Sequence, residues 1–188
     1  MIDSGKDQNN SKTGKWIRHG REGKESLTFA TVKVHVYYIG KTNETYLKEG
    51  EAIYAKRLKH YLPVTFEVLP DVKGGGKLSP EKLKIKEGEM VLARLKNDDG
   101  LILLDEGGKQ FGSVEFANWM DKQLQRPYRR LVFLVGGAFG FSPAVYQRAN
   151  GKLSLSKMTF SHQMIRLFFA EQLYRGMTIL RGEKYHNE

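Results

Sequence analysis

The sequence predicts an α/β fold, a mostly parallel sheet with helices on both faces. Three observations carry that prediction. Strand-like and helix-like patterns alternate from residue 32 onward, the runs VKVHVYYI, LILLDE and LVFLVGG are apolar on both faces, and glycines close two of these runs. A strand covered on both sides reads as a near-continuous apolar run, whereas a half-solvated antiparallel strand alternates.

The elements are justified in chain order. Residues 32–39 are β-branched and aromatic, a strand closed by Gly40. Over 43–60, Tyr46, Leu47, Ile53, Tyr54 and Leu58 recur at helical spacing, with Asn43 as N-cap. Pro63 breaks the chain, and VTFEVL (64–69) is a second strand. KGGGK (73–77) reads as a flexible loop; it lacks the GK[ST] ending of a phosphate-binding P-loop. Ser79 and Pro80 open a helix to about Leu95, an N-cap followed by proline at the first helical position. LILLDE (101–106) is a buried strand, Val114–Gln125 a helix, and LVFLVGG (131–137) a strand running into glycines. Ser142 and Pro143 cap a short helix. LSLSKMTF (153–160) is a short strand or extended loop, and His162–Leu180 a long helix. Residues 1–31 have no apolar period and read as a disordered arm, leaving 32–188 as one domain.

Composition narrows the function. The 188 residues hold 40% hydrophobic side chains, enough for a real core, and no cysteine, which excludes a disulfide scaffold, a thiolate metal site and a cysteine nucleophile. No run approaches the ~18 apolar residues of a membrane helix, and MIDSGKDQNNSKTGK lacks the apolar stretch of a signal peptide. The expectation is a soluble, cytoplasmic protein with no membrane partner. Net charge is +10, which favours an anionic partner. Residues 126–188 hold 10 basic and 3 acidic side chains, so most of the excess sits in the last third, and arginine, with its phosphate-matching fork, predominates there.

In an open parallel sheet, ligands bind beyond the carboxyl ends of the strands. Leu104–Asp105, the Gly136–Gly140 loop and residues 153–160 all belong there. GGAFGF fails as a dinucleotide fingerprint, and Gly140–Ala144 lacks the last glycine of a GxSxG nucleophile elbow. His162 and Arg166 stand at i and i+4 on a helix apolar almost all round, where an arginine needs an anionic or carbonyl partner. Glu171 and Arg175 read as a local ion pair. The five histidines show no ligand spacing, so no metal is expected.

The series LLDEGGKQFGS, FLVGGAFGFSP and LSLSKMTFSHQMIRLFFAEQLYRGMTILRGEKYH, with VKVHVYYIGKT upstream, resembles the ribosomal RNA large-subunit methyltransferase H family of SPOUT, or α/β-knot, methyltransferases. The resemblance spans about Val32 to His186. It implies a C-terminal trefoil knot, S-adenosylmethionine as cofactor, a homodimer built on the long helix, and methylation of N3 of a pseudouridine in 23S rRNA, on the ribosome. It places Leu104 against the adenosine, Gly136, Gly137 and Gly140 in the glycine loop, and Leu155, Ser156, Lys157, Met158, Thr159 and Phe160 around the cofactor. Tyr185 and His186 form a tail that reaches the active site. On this reading His162 or His186 assists removal of the N3 proton, and Arg166 and Tyr185 orient the base or stabilise its anion. Arg129, Arg130, Arg148, Lys152 and Arg181 hold the rRNA. The rivals are a non-catalytic ribosome-binding protein on the same fold and a SPOUT enzyme methylating a ribose 2′-oxygen.

Overall fold

A computed structural model describes residues 32–185; the expectations for 1–31, His186, Asn187 and Glu188 fall outside that span. In chain order the elements are β1 (Lys33–Ile39), α1 (Thr45–Leu58), β2 (Val64–Leu69), a single 3-10 turn (Gly75–Lys77), α2 (Pro80–Leu92), β3 (Gly100–Lys109), α3 (Ser113–Leu124), β4 (Arg130–Val135), α4 (Pro143–Arg148), β5 (Gly151–Leu153) and α5 (Met164–Leu180). The five strands form one sheet, β2-β1-β4-β3-β5, with every pairing parallel.

Strand side chains point alternately to the two faces, and here both faces are dry. Val34, Val36 and Tyr38 of β1 join Leu131, Phe133 and Val135 of β4 in one core, beneath Leu58, Met120, Phe169 and Leu173 from the flanking helices. Tyr37 and Ile39 join Val132 and Leu134 in the other, covered by Val91 and Val145. Helices α1, α3 and α5 therefore lie on one face, with α5 packed against both α1 and α3, and α2 and α4 lie on the other. The apolar runs of the sequence are apolar for this reason.

The expected boundaries shift locally. Asn43 does not cap α1; its backbone N–H donates to the Gln163 side chain (2.7 Å) and the helix opens at Thr45, without a side-chain cap. Helix α5 opens at Met164 rather than His162, because the Ser161 hydroxyl accepts the Met164 N–H (3.1 Å) and holds the preceding turn apart. Helix α2 ends at Leu92, short of Leu95. The caps at Ser79 and Ser142 stand as expected: each hydroxyl accepts from the backbone three residues on, ahead of a proline at the first helical position.

The β3–β5 seam is irregular. Beyond Leu104 the pairing slips, and Leu153 aligns with Lys109 as well as Leu104. Gly108 lies at the slip, where a Cβ would stand 2.6 Å from both the backbone N and C of Leu153. The two chains can approach this closely only because residue 108 has no side chain.

Candidate active site

At the carboxyl ends of β3, β4 and β5 lies a cavity of about 540 Å³. Its walls come from three segments: Leu104–Glu106, Val135–Phe141 with Tyr146, and Leu153–Ile165 except Lys157, Gln163 and Met164. The sequence places its three ligand segments at this edge, and the fold brings them to one space. Leu104, Gly136, Gly137, Gly140, Leu155, Ser156, Met158, Thr159 and Phe160 all line it. Lys157 does not; it is exposed.

The local sequence explains each wall. In LSLS, Leu153 is buried in the sheet and Leu155 faces the cavity. The intervening serines fix the backbone: the Ser154 hydroxyl donates to the Ser156 carbonyl (2.8 Å), and the Ser156 hydroxyl accepts the Met158 N–H (2.8 Å). Gln110 donates to Ser154 (3.1 Å), and the Ser154 N–H donates to the Lys109 carbonyl, so the loop hangs from the end of β3. In the glycine loop, Gly140 takes φ +78° and its N–H reaches back to the Gly137 carbonyl, closing a tight turn. A Cβ on Gly137 would lie 2.8 Å from the buried Glu87 carboxylate, which would have to shift to admit a side chain there. Asp105 accepts the Tyr146 hydroxyl across the rim; burial first, then this bond, push the phenol up to about 12.

His162 lines the cavity. Burial and then the Arg166 charge pull its imidazole below the ordinary value, partly offset by Asp71, which stands against Gly40 at the end of β1. The ring is therefore neutral at pH 7 and able to accept a proton.

Arg166 is not a cavity residue. It is fully buried: Nε donates to the His162 carbonyl (3.0 Å), Nη1 to the Gly40 carbonyl (2.9 Å) and Thr42 Oγ1 (3.0 Å), and Nη2 to the Ile39 carbonyl (2.7 Å). The i,i+4 relation to His162 is real but runs through a backbone carbonyl. The anionic or carbonyl partner that its apolar helix demanded is the end of β1, so the guanidinium is spent on acceptors of the fold itself.

Tyr185 also stays out of the cavity in its own chain. Its ring packs edge-on against Tyr174, with Arg175 over its face and its hydroxyl on Glu171 (3.3 Å), which also carries the expected i,i+4 pair with Arg175. His186, the other candidate for proton removal, lies outside the described residues.

The arginines depart furthest from expectation. Arg130 begins β4 and so stands at the amino end of the sheet, opposite the cavity, where it pairs with the buried Asp99. Burial opposes ionisation of Asp99, but the Arg130 bond wins and holds its carboxyl low. Arg129 precedes it directly in the chain. Arg148 donates to the carbonyls of Lys96 (2.9 Å) and Asp99 (2.7 Å) at that same end, and Arg181 to the His60 carbonyl (2.7 Å) beyond α1. All four arginines are remote from the cavity, and Arg130, Arg148 and Arg181 are spent on carbonyls or Asp99. Lys152 alone is near, its ammonium 5.7 Å from the Tyr146 ring.

Sequence reasoning missed Glu106, Val135, Phe141, Tyr146, Ser161 and Ile165 as lining residues, whereas Asp105 and Phe139 fall within the stretches it placed at this edge. Among the described residues, no group of three or more His, Asp or Glu could hold a metal ion, and no helix is long and apolar enough to cross a membrane.

Known proteins share this sequence pattern. A family model described as "Predicted SPOUT methyltransferase" matches residues 32–186. Three relatives carry the name "Ribosomal RNA large subunit methyltransferase H". The Cytophaga hutchinsonii protein is 54% identical over 83% of this chain and 100% of its own length. The Parabacteroides distasonis protein is 52% identical over 84% and 100%, and that of Porphyromonas gingivalis 48% over 84% and 100%. Among solved structures, a Legionella pneumophila methyltransferase with bound SAM matches 80% of this chain and 67% of that one at 14% identity and TM-score 0.42, a likeness too slight to carry weight.

Proposed function

This chain belongs to the SPOUT methyltransferase family, and from that premise we propose that it methylates N3 of a pseudouridine in large-subunit ribosomal RNA, using S-adenosylmethionine. The observation that carries the reading is the convergence of Leu104, the glycine loop and residues 154–160 on one cavity. Apolar Leu104, Leu155 and Ile165 suit the faces of an adenine, while loop backbone around serines and glycines suits its polar edges, the mixture that small-molecule sites use. The passage of residues 154–163 from β5 back toward α5 is the stretch that a trefoil knot would thread.

When bound, S-adenosylmethionine supplies an electrophilic methyl group. N3 of a pseudouridine is an imide that holds its proton at neutral pH, so the protein must take that proton as the base is held in place. Neutral His162 accepts it at the cavity wall, and Arg166, gripping the His162 carbonyl, fixes where the ring stands.

Because protonation of His162 blocks that role, the acid limb of kcat/KM is expected below pH ~6.5, the free imidazole value. Asp71→Asn removes a charge that favours the imidazolium, so the limb moves lower still; a limb that moves up, or stays, contradicts the assignment. His162→Asn lowers kcat by about a hundredfold or more.

The decisive test is mass-spectrometric mapping of the methyl group on ribosomes from a strain lacking this enzyme. A methyl on a ribose 2′-oxygen, or no calorimetric affinity for S-adenosylmethionine, overturns the reading. A ribosomal substrate implies a cytoplasmic protein.

The homodimer belongs to the same reading. Phe168 of α5 is 41% exposed, packs at a tilt against Phe160 of the cavity loop, and shares the outer helical layer with Tyr46 and Ile53 of α1, themselves 57% and 51% exposed. Met158 extends this apolar surface to the cavity mouth. Light scattering is expected to give twice the chain mass, and Phe168→Glu to give the monomer.

A further inference from the structure

Building on the RNA-methylating reading, we propose that the KGGGK loop, with Lys41 and Lys157, clamps the phosphate backbone of the substrate RNA at the cavity mouth. The loop comes after β2, so it stands at the carboxyl end of the sheet, as the cavity does. Strands β2 and β4 are separated only by β1, about 10 Å at ordinary strand spacing. Asp71, two residues before Lys73, stands against Gly40, whose carbonyl accepts from the same Arg166 guanidinium that holds the His162 carbonyl, and this ties the corner to the cavity wall. Lys41 comes just after β1, and Lys157 is an exposed residue of the cavity loop.

Lys41, Lys73, Lys77 and Lys157 are exposed, and among the described residues none is held in an ion pair. The arginines Arg130, Arg148 and Arg181 present the opposite case: they are engaged away from the cavity by Asp99 or by backbone carbonyls. Unpaired lysines therefore stand at the sheet end that holds the cavity, while these arginines brace the fold elsewhere. The glycines of the loop fit the same use. Gly74 takes φ +71°, and a Cβ at Gly74 or Gly76 would meet nothing within 4 Å, so no side chain stands between the two lysines and an approaching strand. The loop is not a P-loop; its lysines meet a polymer backbone.

The test compares two double variants in co-sedimentation with ribosomes from a strain lacking the enzyme, at several salt concentrations. Lys73→Ala/Lys77→Ala is expected to weaken binding about tenfold or more and to reduce the slope of log K against log salt by about 1.5, at ~0.7–0.9 per phosphate contact. Lys59→Ala/Lys122→Ala, which removes two exposed charges away from the cavity, stays within about twofold. Calorimetric affinity for S-adenosylmethionine is unchanged in both. Equal losses in the two variants, or none in the first, overturn the clamp. Wild-type binding without methyl transfer would instead sink the proposed function and leave the clamp standing.

Discussion

Gly108→Ala is expected to destabilise the protein by about 3 kcal/mol and to abolish measurable affinity for S-adenosylmethionine. The added methyl would stand 2.6 Å from two backbone atoms of Leu153, and backbone cannot rotate aside as a side-chain tip can. Strand β5 has only three residues, so it yields first, and the loop whose Ser154 hangs from Lys109 moves with it. Calorimetry should show a Tm lower by about 6–12 °C for a chain of this size. Gly76→Ala, where a Cβ meets nothing, is the matched control and should leave Tm and affinity unchanged. A Gly108→Ala variant that binds the cofactor normally would show that the β3–β5 seam does not set the cavity wall.

Arg166→Met should cost about 3–5 kcal/mol, although methionine fills much of the volume. It leaves the carbonyls of Ile39, Gly40 and His162 without their donor in a dry interior, and each buried unsatisfied group costs about 1–3 kcal/mol. Lysine should not rescue it: a single ammonium cannot reproduce a planar fork that meets four acceptors. Chemical denaturation measures the loss. If Arg166→Met keeps its stability yet loses kcat, the side chain acts on the substrate rather than on the fold.

Arg166 also marks how far the sequence reaches. It was legible as an arginine in need of a partner; that the partner would be a strand's last carbonyls, 126 residues earlier, required the fold. Alternating patterns and two-sided apolar runs made the parallel sheet legible, and Ser–Pro pairs located two helix starts. The three cavity walls were legible because each sits where a strand ends, a rule of topology. Arg129, Arg130 and Arg148 were misplaced for the converse reason. They share a segment with the glycine loop, but β4 carries the chain from Arg129 and Arg130 across the sheet to that loop and α4 carries it back to Arg148, so proximity in sequence became opposition in space. The lysines of KGGGK looked like a loop because local pattern carries no record of which sheet end a loop overhangs.

The cavity walls have a thermodynamic corollary. They come from three stretches spread between Leu104 and Ile165, and the last is joined to the sheet through a strand of three residues. A ligand seated among them binds only the completed chain, so occupancy is itself a folding force, worth about 2.7 kcal/mol at about a hundred times Kd. Native-state hydrogen exchange should show it as slowing concentrated in residues 153–162. The cofactor pool of the cell thus acts as a quality check: a copy whose last strand has not docked neither holds the methyl donor nor presents it to RNA.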